Sequence, residues 1–359
     1  MRTAPQEAIA LSLSFSAYAG ESEQNPTAAI QAVLELLEPY IGTFRTVWGP
    51  AWHTASALDD ALAYIVQNAA NPAEYYLIIR GTNTRSLSSW LWQDLAVDQL
   101  IEWSSVPQDP EHLSGAPPGA AAIAKGTNLG LDLLLNRMTI PDQLPPLFTF
   151  LQDLAAANCQ QIILNVTGHS LGGALAPTLA LWLSDRWPAE ADAPLRPDIY
   201  AWSFASPAIG NREFAQYADA CLGTKYTSYS NPLDIVPHAW NTDTLLKIPS
   251  LYSPLVMPVY LKAAWTLLLA LTLEKNYTPC GNIRIVPSSL ETTISRWTEQ
   301  MDYQHIQPYL SLLTPTGMPP SVIDELIERK STAMLAKLAR RAYSETAAQP
   351  TPPSTEAIP

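Results

Sequence analysis

The feature that most constrains the fold is a glycine-bounded serine motif between an apolar run and a helix-like segment. Gly168-His169-Ser170-Leu171-Gly172 follows the apolar run 161–167 and precedes a helical pattern over 172–183. A serine acts as a nucleophile when a sharp turn presents it beside a general base and under oxyanion donors. Glycines allow strand and helix to approach closely at such a turn. We therefore predict a strand, a tight turn and a helix, with Ser170 as nucleophile and the Leu171 amide as an oxyanion donor.

The remaining chain alternates between strand-like and helix-like segments. Further strands are predicted at 75–80, 200–204, 226–230 and 282–286, and helices at 58–67, 148–157 and 212–221, after Pro26 and after Pro319. Continuous apolar runs such as 75–80 are typical of central strands that are buried on both faces. The alternation predicts an α/β fold with a mostly parallel central sheet flanked by helices.

Composition and charge exclude several classes of protein. Hydrophobic residues make up 47% of the chain and charged residues 15%, which indicates a folded globular protein. The formal net charge of -13 argues against nucleic acid and strongly anionic membranes as partners and favours uncharged substrates. Three widely spaced cysteines support neither a disulfide framework nor a cysteine metal site. We expect no cofactor and no metal ion.

Two apolar segments bear on targeting. Residues 8–15, followed by Ala17-Tyr18-Ala19, resemble a signal peptide, but Glu7 and two serines interrupt the pattern. We predict a mature N-terminal helix here and favour an intracellular location over secretion. The second segment, 251–273, is broken by Pro254, Pro258 and Lys262, so its uninterrupted part is too short for a transmembrane helix.

A second oxyanion donor is needed from another loop at the same edge of the sheet. Arg80-Gly81-Thr82 ends the strand at 75–80, and the Thr82 amide could supply that donor. The alternative is a plain glycine turn at the end of a strand.

The acid and the base are expected after the serine, in that order. Asp234 follows the strand 226–230 and is favoured over Asp198, which precedes its strand, and over Asp243, which is farther from any strand end. His305 follows the last strand and is favoured as the base over His238. The other histidines, His53, His112 and His169, are expected to have structural roles.

Four blocks of sequence resemble the class 3 lipases, the fungal triacylglycerol lipase-like group of the α/β-hydrolases. They are Arg80-Gly81-Thr82, the serine motif with its following Gly173-Ala174-Leu175-Ala176, residues 204–211, and residues 231–237. The resemblance implies an α/β-hydrolase fold over about residues 7–310. It also implies Ser170 as nucleophile, Asp234 as orienting acid, His305 as general base, and Thr82 with Leu171 as oxyanion donors.

Two segments near this site have open interpretations. The resemblance implies a lid helix at about 83–98, where Leu87, Trp90, Leu91 and Leu95 are spaced as on one helix face and could contact substrate; ordinary core packing is the alternative. The apolar insertion at about 245–279 could wall an acyl pocket, rest on a lipid surface or pack as a helix on the core.

These patterns predict a single α/β-hydrolase domain over 1–345 and a disordered, proline-rich tail over 346–359. The expected activity is cleavage of carboxylic esters of lipids, most specifically that of a triacylglycerol lipase. A short-chain or aromatic esterase and a phospholipase A1 would use the same residues, and a lipid-binding protein with an inactive triad is a further alternative. Partners are then a lipid or ester substrate and, transiently, a lipid–water interface.

Overall fold

The computed structural model describes residues 4–20, 26–54, 60–81, 96–141, 144–189 and 195–331. Most of the predicted lid and the whole predicted tail lie outside these ranges. The described strands are β1 Phe44–Thr54, β2 Asp60–Asn68, β3 Glu74–Ile79, β4 Leu100–Glu102, β5 Ala122–Ala124, β6 Ile163–His169, β7 Asp198–Phe204, β8 Gly210–Asn211, β9 Tyr226–Ser230, β10 Tyr277–Thr278 and β11 Asn282–Ile285. The described helices are α1 Gln6–Ser16, α2 Pro26–Ile41, α3 Lys125–Asp132, α4 Leu147–Ala157, α5 Leu171–Arg186, α6 Arg212–Leu222, α7 Ile235–His238, α8 Thr242–Leu245, α9 Val259–Thr272, α10 Trp297–Gln304 and α11 Pro320–Ser331.

A central sheet of seven strands has the order β1-β2-β3-β6-β7-β9-β11. From β3 to β11 every neighbouring pair is parallel, while β1 and β2 add two antiparallel pairings at one edge. The predicted α/β class with a mostly parallel sheet is therefore confirmed. A smaller antiparallel sheet has the order β10-β8-β5-β4.

Strand β3, near the middle of the central sheet, is buried on both faces. All six residues of β3 are buried, and they alternate between two cores: Tyr75, Leu77 and Ile79 pack with α4 and α5, while Tyr76 and Ile78 pack with α1 and α2. A strand covered by helices on both faces needs apolar residues at every position. This explains why 75–80 reads as a continuous apolar run.

The predicted N-terminal helix is present as α1, whose residues 8–16 are all buried. Ser14, which interrupts the apolar pattern, and Ser16, which ends the helix, have polar partners inside the protein, whereas the buried Ser12 hydroxyl has none among the described residues. Ser14 Oγ lies 2.8 Å from Thr167 Oγ1, and Ser16 Oγ lies 2.5 Å from the Tyr64 hydroxyl. Buried hydroxyls cost little when they are hydrogen-bonded, so α1 forms part of the core on one face of the sheet.

The helix predicted at 58–67 is wrong, because residues 60–68 form strand β2. This strand pairs antiparallel with both β1 and β3. Leu62, Tyr64 and Val66 pack on one face of the sheet and Ala63 and Ile65 on the other. A strand with two buried faces contains a continuous apolar run, and such a run also fits helical spacing.

The helices and strands that position the site agree with the predictions to within a few residues. They include β6, β7, β9, β11, α4, α5 and α6, and α11 begins at the predicted prolines.

Within the predicted insertion, helix α9 occupies 259–272. None of the described helices is long and apolar enough to cross a membrane.

Candidate active site

The serine motif forms a sharp turn between β6 and α5. Ser170 has φ 63° and ψ -127°, in the positive-φ region that residues with a side chain rarely adopt. The surroundings hold it there, since its N–H donates to the Phe204 carbonyl at 2.9 Å and its own carbonyl accepts from the Ala174 N–H. Strained backbone of this kind persists only where the structure over-determines it. The turn lies at the carboxyl edge of the parallel strands.

Two glycines make this turn possible. A Cβ on Gly168 would overlap the backbone of Gly172, and a Cβ on Gly172 would overlap the carbonyl oxygen of Ile79 at the end of β3. Both neighbours are backbone atoms, which cannot rotate away as a side chain can. The glycines therefore bring β6, α5 and β3 together around Ser170.

His305 lies against Ser170. It follows helix α10 directly, and its Nε2 is 2.9 Å from Ser170 Oγ. Its Nδ1 is 2.9 Å from Asp234 Oδ2. A carboxylate oxygen only accepts, so the neutral ring carries its proton on Nδ1 and leaves Nε2 to accept from the serine hydroxyl. This geometry allows the serine proton to pass to His305 as Ser170 Oγ attacks a substrate.

Asp234 is fully buried, and its carboxylate accepts hydrogen bonds from His305, Tyr309 and Val236 among the described residues. Oδ2 accepts from His305 Nδ1 and from the Tyr309 hydroxyl, both at 2.9 Å, and Oδ1 accepts from the Val236 N–H at 3.0 Å. The last bond caps helix α7, which begins at the next residue. The buried carboxylate is thus held in one orientation toward the imidazole.

Tyr309 links the acid to the preceding turn. Its hydroxyl donates to Asp234 and accepts from the Asn231 N–H at 3.0 Å. Burial, followed by the negative charge of Asp234, raises the pKa of Tyr309 well above its usual range. The hydroxyl therefore keeps its proton at neutral pH and remains a donor to the carboxylate.

The segments that carry Asp234 and His305 are hydrogen-bonded to each other. Asn231 Nδ2 donates to the Gln304 carbonyl at 2.7 Å and to Gln304 Oε1 at 2.9 Å, and Asn231 Oδ1 accepts from the Leu233 N–H. Gln304 immediately precedes His305, and its Nε2 donates to the Ser289 carbonyl. These bonds fix the separation between the loop after β9 and the end of α10.

His169, predicted to be structural, is buried beneath the base. Its Nε2 is 2.9 Å from the His305 carbonyl oxygen, which can only accept, so Nε2 carries the proton. Nδ1 then faces the Tyr18 hydroxyl at 3.3 Å. The residue before the serine thus supports the backbone of His305.

The rival candidates contact other groups or lie on the surface. His238 Nε2 contacts the Pro232 carbonyl, and His53 Nδ1 contacts the Arg137 carbonyl. Asp198 stands at the first residue of β7, the edge opposite the serine, where it pairs with Lys225. Asp243 is exposed, and His112 is near Asp109 on the surface.

The predicted oxyanion donors are only partly within the described residues. Leu171 is the first residue of α5, where backbone N–H groups have no partner within the helix. Gly81 lies beside the turn at Ser170, since a Cβ on Gly81 would meet the His169 carbonyl oxygen. Thr82 lies outside the described residues, as do the proposed substrate contacts Leu87, Trp90 and Leu91.

An apolar cluster borders the site. Buried residues from the loop after Asp234, from α9 and from α10 pack together, and Leu171 and Leu233 pack against them: Ile235, Val236, Trp240, Tyr252, Met257, Leu261, Leu268, Trp297 and Met301 are among them. The predicted insertion is therefore in contact with the segments that carry Asp234 and His305.

Sequence reasoning missed three residues of this site: Tyr309, Gln304 and the side chain of Asn231. Tyr309 and Gln304 lie within four positions of His305, and Asn231 lies three before Asp234. Polar residues this close to a candidate acid or base are a signal that could have suggested them.

Comparisons with known proteins identify relatives of this chain in sequence and in fold. The family model for lipase (class 3) matches residues 145–244. The crystal structure of M37 lipase is similar to this chain with a TM-score of 0.78 and 30% sequence identity, covering 91% of this chain and 100% of that one. Nonglycosylated LIP2 lipase of Yarrowia lipolytica has a similar fold, with a TM-score of 0.50 and 15% identity over 79% of this chain and 78% of that one. No curated protein matches in sequence.

Proposed function

We propose, from the premise that this chain belongs to the class 3 lipase family, that it hydrolyses triacylglycerols through an acyl-enzyme formed on Ser170. Its membership follows from the 30% identity to M37 lipase over the whole of that chain. The chain is accordingly a carboxylic ester hydrolase that acts on lipids and has the α/β-hydrolase fold. The residues that perform the reaction and the choice of substrate are the proposal.

In the first half of the proposed reaction, Ser170 Oγ attacks the ester carbonyl carbon while its proton passes to His305 Nε2. Asp234 accepts from Nδ1 and stabilises the imidazolium that forms. The negative charge on the former carbonyl oxygen is met by the Leu171 N–H and, from outside the described residues, by the Thr82 N–H. The intermediate then collapses, and the diacylglycerol alcohol leaves with the proton from His305.

In the second half, a water molecule attacks the acyl-enzyme. His305 takes one proton from the water as its oxygen bonds to the acyl carbon, and the same oxyanion donors stabilise the new intermediate. Its collapse breaks the bond to Ser170 Oγ, which recovers the proton, and the fatty acid is released. The observation that carries this proposal is the hydrogen-bonded series from Ser170 through His305 to Asp234, with both distances at 2.9 Å.

Two observations favour a triacylglycerol as the substrate. The net charge of -13 suits an uncharged lipid better than an anionic one. The apolar cluster beside Leu171 and Leu233 provides surface that an acyl chain can cover.

The nucleophile is tested with a fluorophosphonate probe followed by mapping of the labelled peptide. We expect label on Ser170 in the wild type and none in Ser170→Ala, with ester hydrolysis lowered on the order of 10⁶-fold. Ser184→Ala, at the far end of the same helix α5, is the matched control and should label and hydrolyse normally. Label on another serine would overturn the assignment.

The substrate is tested with nitrophenyl esters of increasing chain length and with emulsified triacylglycerol. A triacylglycerol lipase should prefer medium or long acyl chains and accelerate once the substrate aggregates. A rate that is highest on dissolved short esters would identify an esterase instead, and faster release of fatty acid from phosphatidylcholine than from triacylglycerol would identify a phospholipase.

A further inference from the structure

Exposed apolar side chains are concentrated in one short part of the chain. Eleven large hydrophobic side chains are exposed among the residues that the structure describes, and seven of them lie between positions 246 and 273. These seven residues, here called the insertion face, are Leu246, Val256, Val259, Tyr260, Leu267, Leu271 and Leu273. Large contiguous apolar patches on a protein surface mark sites of interaction with another apolar surface.

Helix α9 is apolar on both of its sides. Leu261, Leu268 and Thr272 are buried against the protein. Tyr260 and Leu267 each precede a buried residue by one position, and so lie about 100° around the helix from it. They are 65% and 62% exposed, and Leu271 continues their stripe. A surface helix normally carries polar residues on its outer side, whereas an all-round apolar helix is typical of one covered on every side. The outer side of α9 is therefore suited to an apolar environment.

The insertion face is firmly attached to the active-site loops. The Tyr252 hydroxyl donates to the carbonyl of Leu233, the residue before Asp234, at 2.9 Å. Trp265 Nε1 donates to the Leu245 carbonyl at 3.0 Å, and so joins α9 to the end of α8. Hydrogen bonds and the shared apolar cluster hold the face in a constant relation to the loop of the acid.

The charge of the segment differs from that of the whole chain. Residues 245–279 contain Lys247, Lys262 and Lys275 against a single acid, Glu274, while the complete chain has a net charge of -13. Fatty acids released by hydrolysis are anionic, so the lipid surface becomes more negative as the reaction proceeds. That surface repels most of this acidic protein but attracts the lysines of the insertion. Apolar side chains flanked by lysines are the pattern of a helix that lies in a membrane interface.

We propose that the insertion face is the surface by which this protein lies on the lipid–water interface of its substrate aggregate, with the outer side of α9 in the acyl layer. The inference rests on the proposed function, since a triacylglycerol is presented to an enzyme only as an aggregate. It assigns the contact to residues 246–273, apart from the predicted lid.

The test measures flotation of the full chain with phosphatidylcholine vesicles, in a Ser170→Ala background so that no lipid is consumed. The variant Tyr260→Gln with Leu267→Gln should reduce vesicle partitioning by at least about tenfold, because two large apolar side chains no longer enter the acyl layer. Glutamine keeps the helix propensity of α9 close to that of leucine. The matched control, Ile283→Thr with Ile285→Thr, changes two exposed apolar residues of the edge strand β11 and should bind as the parent does.

Three results would overturn the inference. The first is unchanged partitioning of the α9 variant, and the second is an equal loss in the control. The third is a lower unfolding temperature or a smaller sedimentation coefficient in the α9 variant, because the face would then be covered by another part of the chain or by a second copy.

The failure of this inference is distinguishable from failure of the proposed function. With Ser170 restored, the α9 variant should cleave a dissolved short-chain ester at the wild-type rate and lose rate on emulsified triacylglycerol. If the α9 variant loses vesicle binding but no protein with Ser170 hydrolyses an ester, the proposed function is refuted. If the α9 variant binds vesicles as the parent does and cleaves emulsified triacylglycerol at the full rate, only the docking surface is refuted.

Discussion

The hydroxyl of Tyr309 is predicted to stabilise both the fold and the orientation of the acid. Tyr309→Phe removes one hydrogen bond to the Asp234 carboxylate and removes the acceptor of the Asn231 N–H, with all three residues essentially inaccessible to solvent. A hydrogen bond to a charged group contributes about 1.5–3 kcal/mol, and an unsatisfied buried N–H costs about 1–3 kcal/mol. Phenylalanine has no hydroxyl to desolvate on folding, and this saving offsets part of the loss. We therefore expect the free energy of unfolding to fall by about 2–4 kcal/mol.

Urea unfolding at neutral pH measures this loss, and Tyr252→Phe is the matched control. Tyr252 is equally buried, but its hydroxyl makes a single neutral hydrogen bond to the Leu233 carbonyl, so its removal should cost only about 1 kcal/mol. Because Asp234 would be held by fewer donors, kcat for a soluble ester should fall about tenfold in Tyr309→Phe with KM nearly unchanged, as a lost transition-state interaction requires.

Equal losses of stability and equal kcat values in the two phenylalanine variants would refute the reasoning. That result would mean that the Tyr309 hydroxyl contributes no more than any buried neutral hydroxyl. A lower kcat that appears only together with a raised KM would also count against a positioning role for Tyr309.

Asp234→Asn should preserve the fold and lower kcat about 10⁴-fold, since an amide disfavours the required tautomer of the base; a fall of less than tenfold in a soluble-ester assay would contradict this. Gly172→Ala should lower the unfolding free energy by at least about 2 kcal/mol in urea titration, because the added methyl group meets backbone; unchanged stability would be the contrary result. Native protein at pH 8 should react with a thiol reagent at the exposed Cys159 and Cys221 but not at Cys280, whose thiol pKa burial raises to about 12 from 9.0; three fast thiols would disprove this. The Cys280 thiol has a higher pKa in the folded protein than in the unfolded chain, so ionisation of the thiol favours unfolding. In urea titrations the free energy of unfolding should therefore be unaffected by this group below about pH 9 and should decline as pH rises toward 12.

The elements nearest the serine were predictable because local sequence specifies them. Glycines at 168 and 172 are required wherever strand and helix backbones meet at this distance, whatever the rest of the fold. The candidate acid and base were predicted from their positions after strands, because parallel strands bring their carboxyl ends to one edge of the sheet. In the structure His305 lies at hydrogen-bonding distance from Ser170, and Asp234 lies at hydrogen-bonding distance from His305.

The segment 60–68 shows where local reasoning failed. Its apolar residues fit helical spacing, yet β1 and β3 bind it on both sides as a strand. The spacing of apolar residues indicates only which residues are buried. A segment that is buried on all sides is apolar throughout, so its pattern fits a buried helix and a buried strand equally well. Only the positions of its neighbours decide between them.

The amino-acid sequence by itself determined the turn at Ser170, the parallel strands around it and the placement of Asp234 and His305 after later strands, because each depends on backbone sterics or on short apolar runs. Tertiary structure alone decided that Tyr309 holds Asp234, that Asn231 ties its loop to Gln304, and that one side of α9 stays exposed. These features join residues about 70 positions apart or more, or depend on which surfaces the rest of the chain covers. Such contacts arise from packing the whole domain, and no local pattern encodes them.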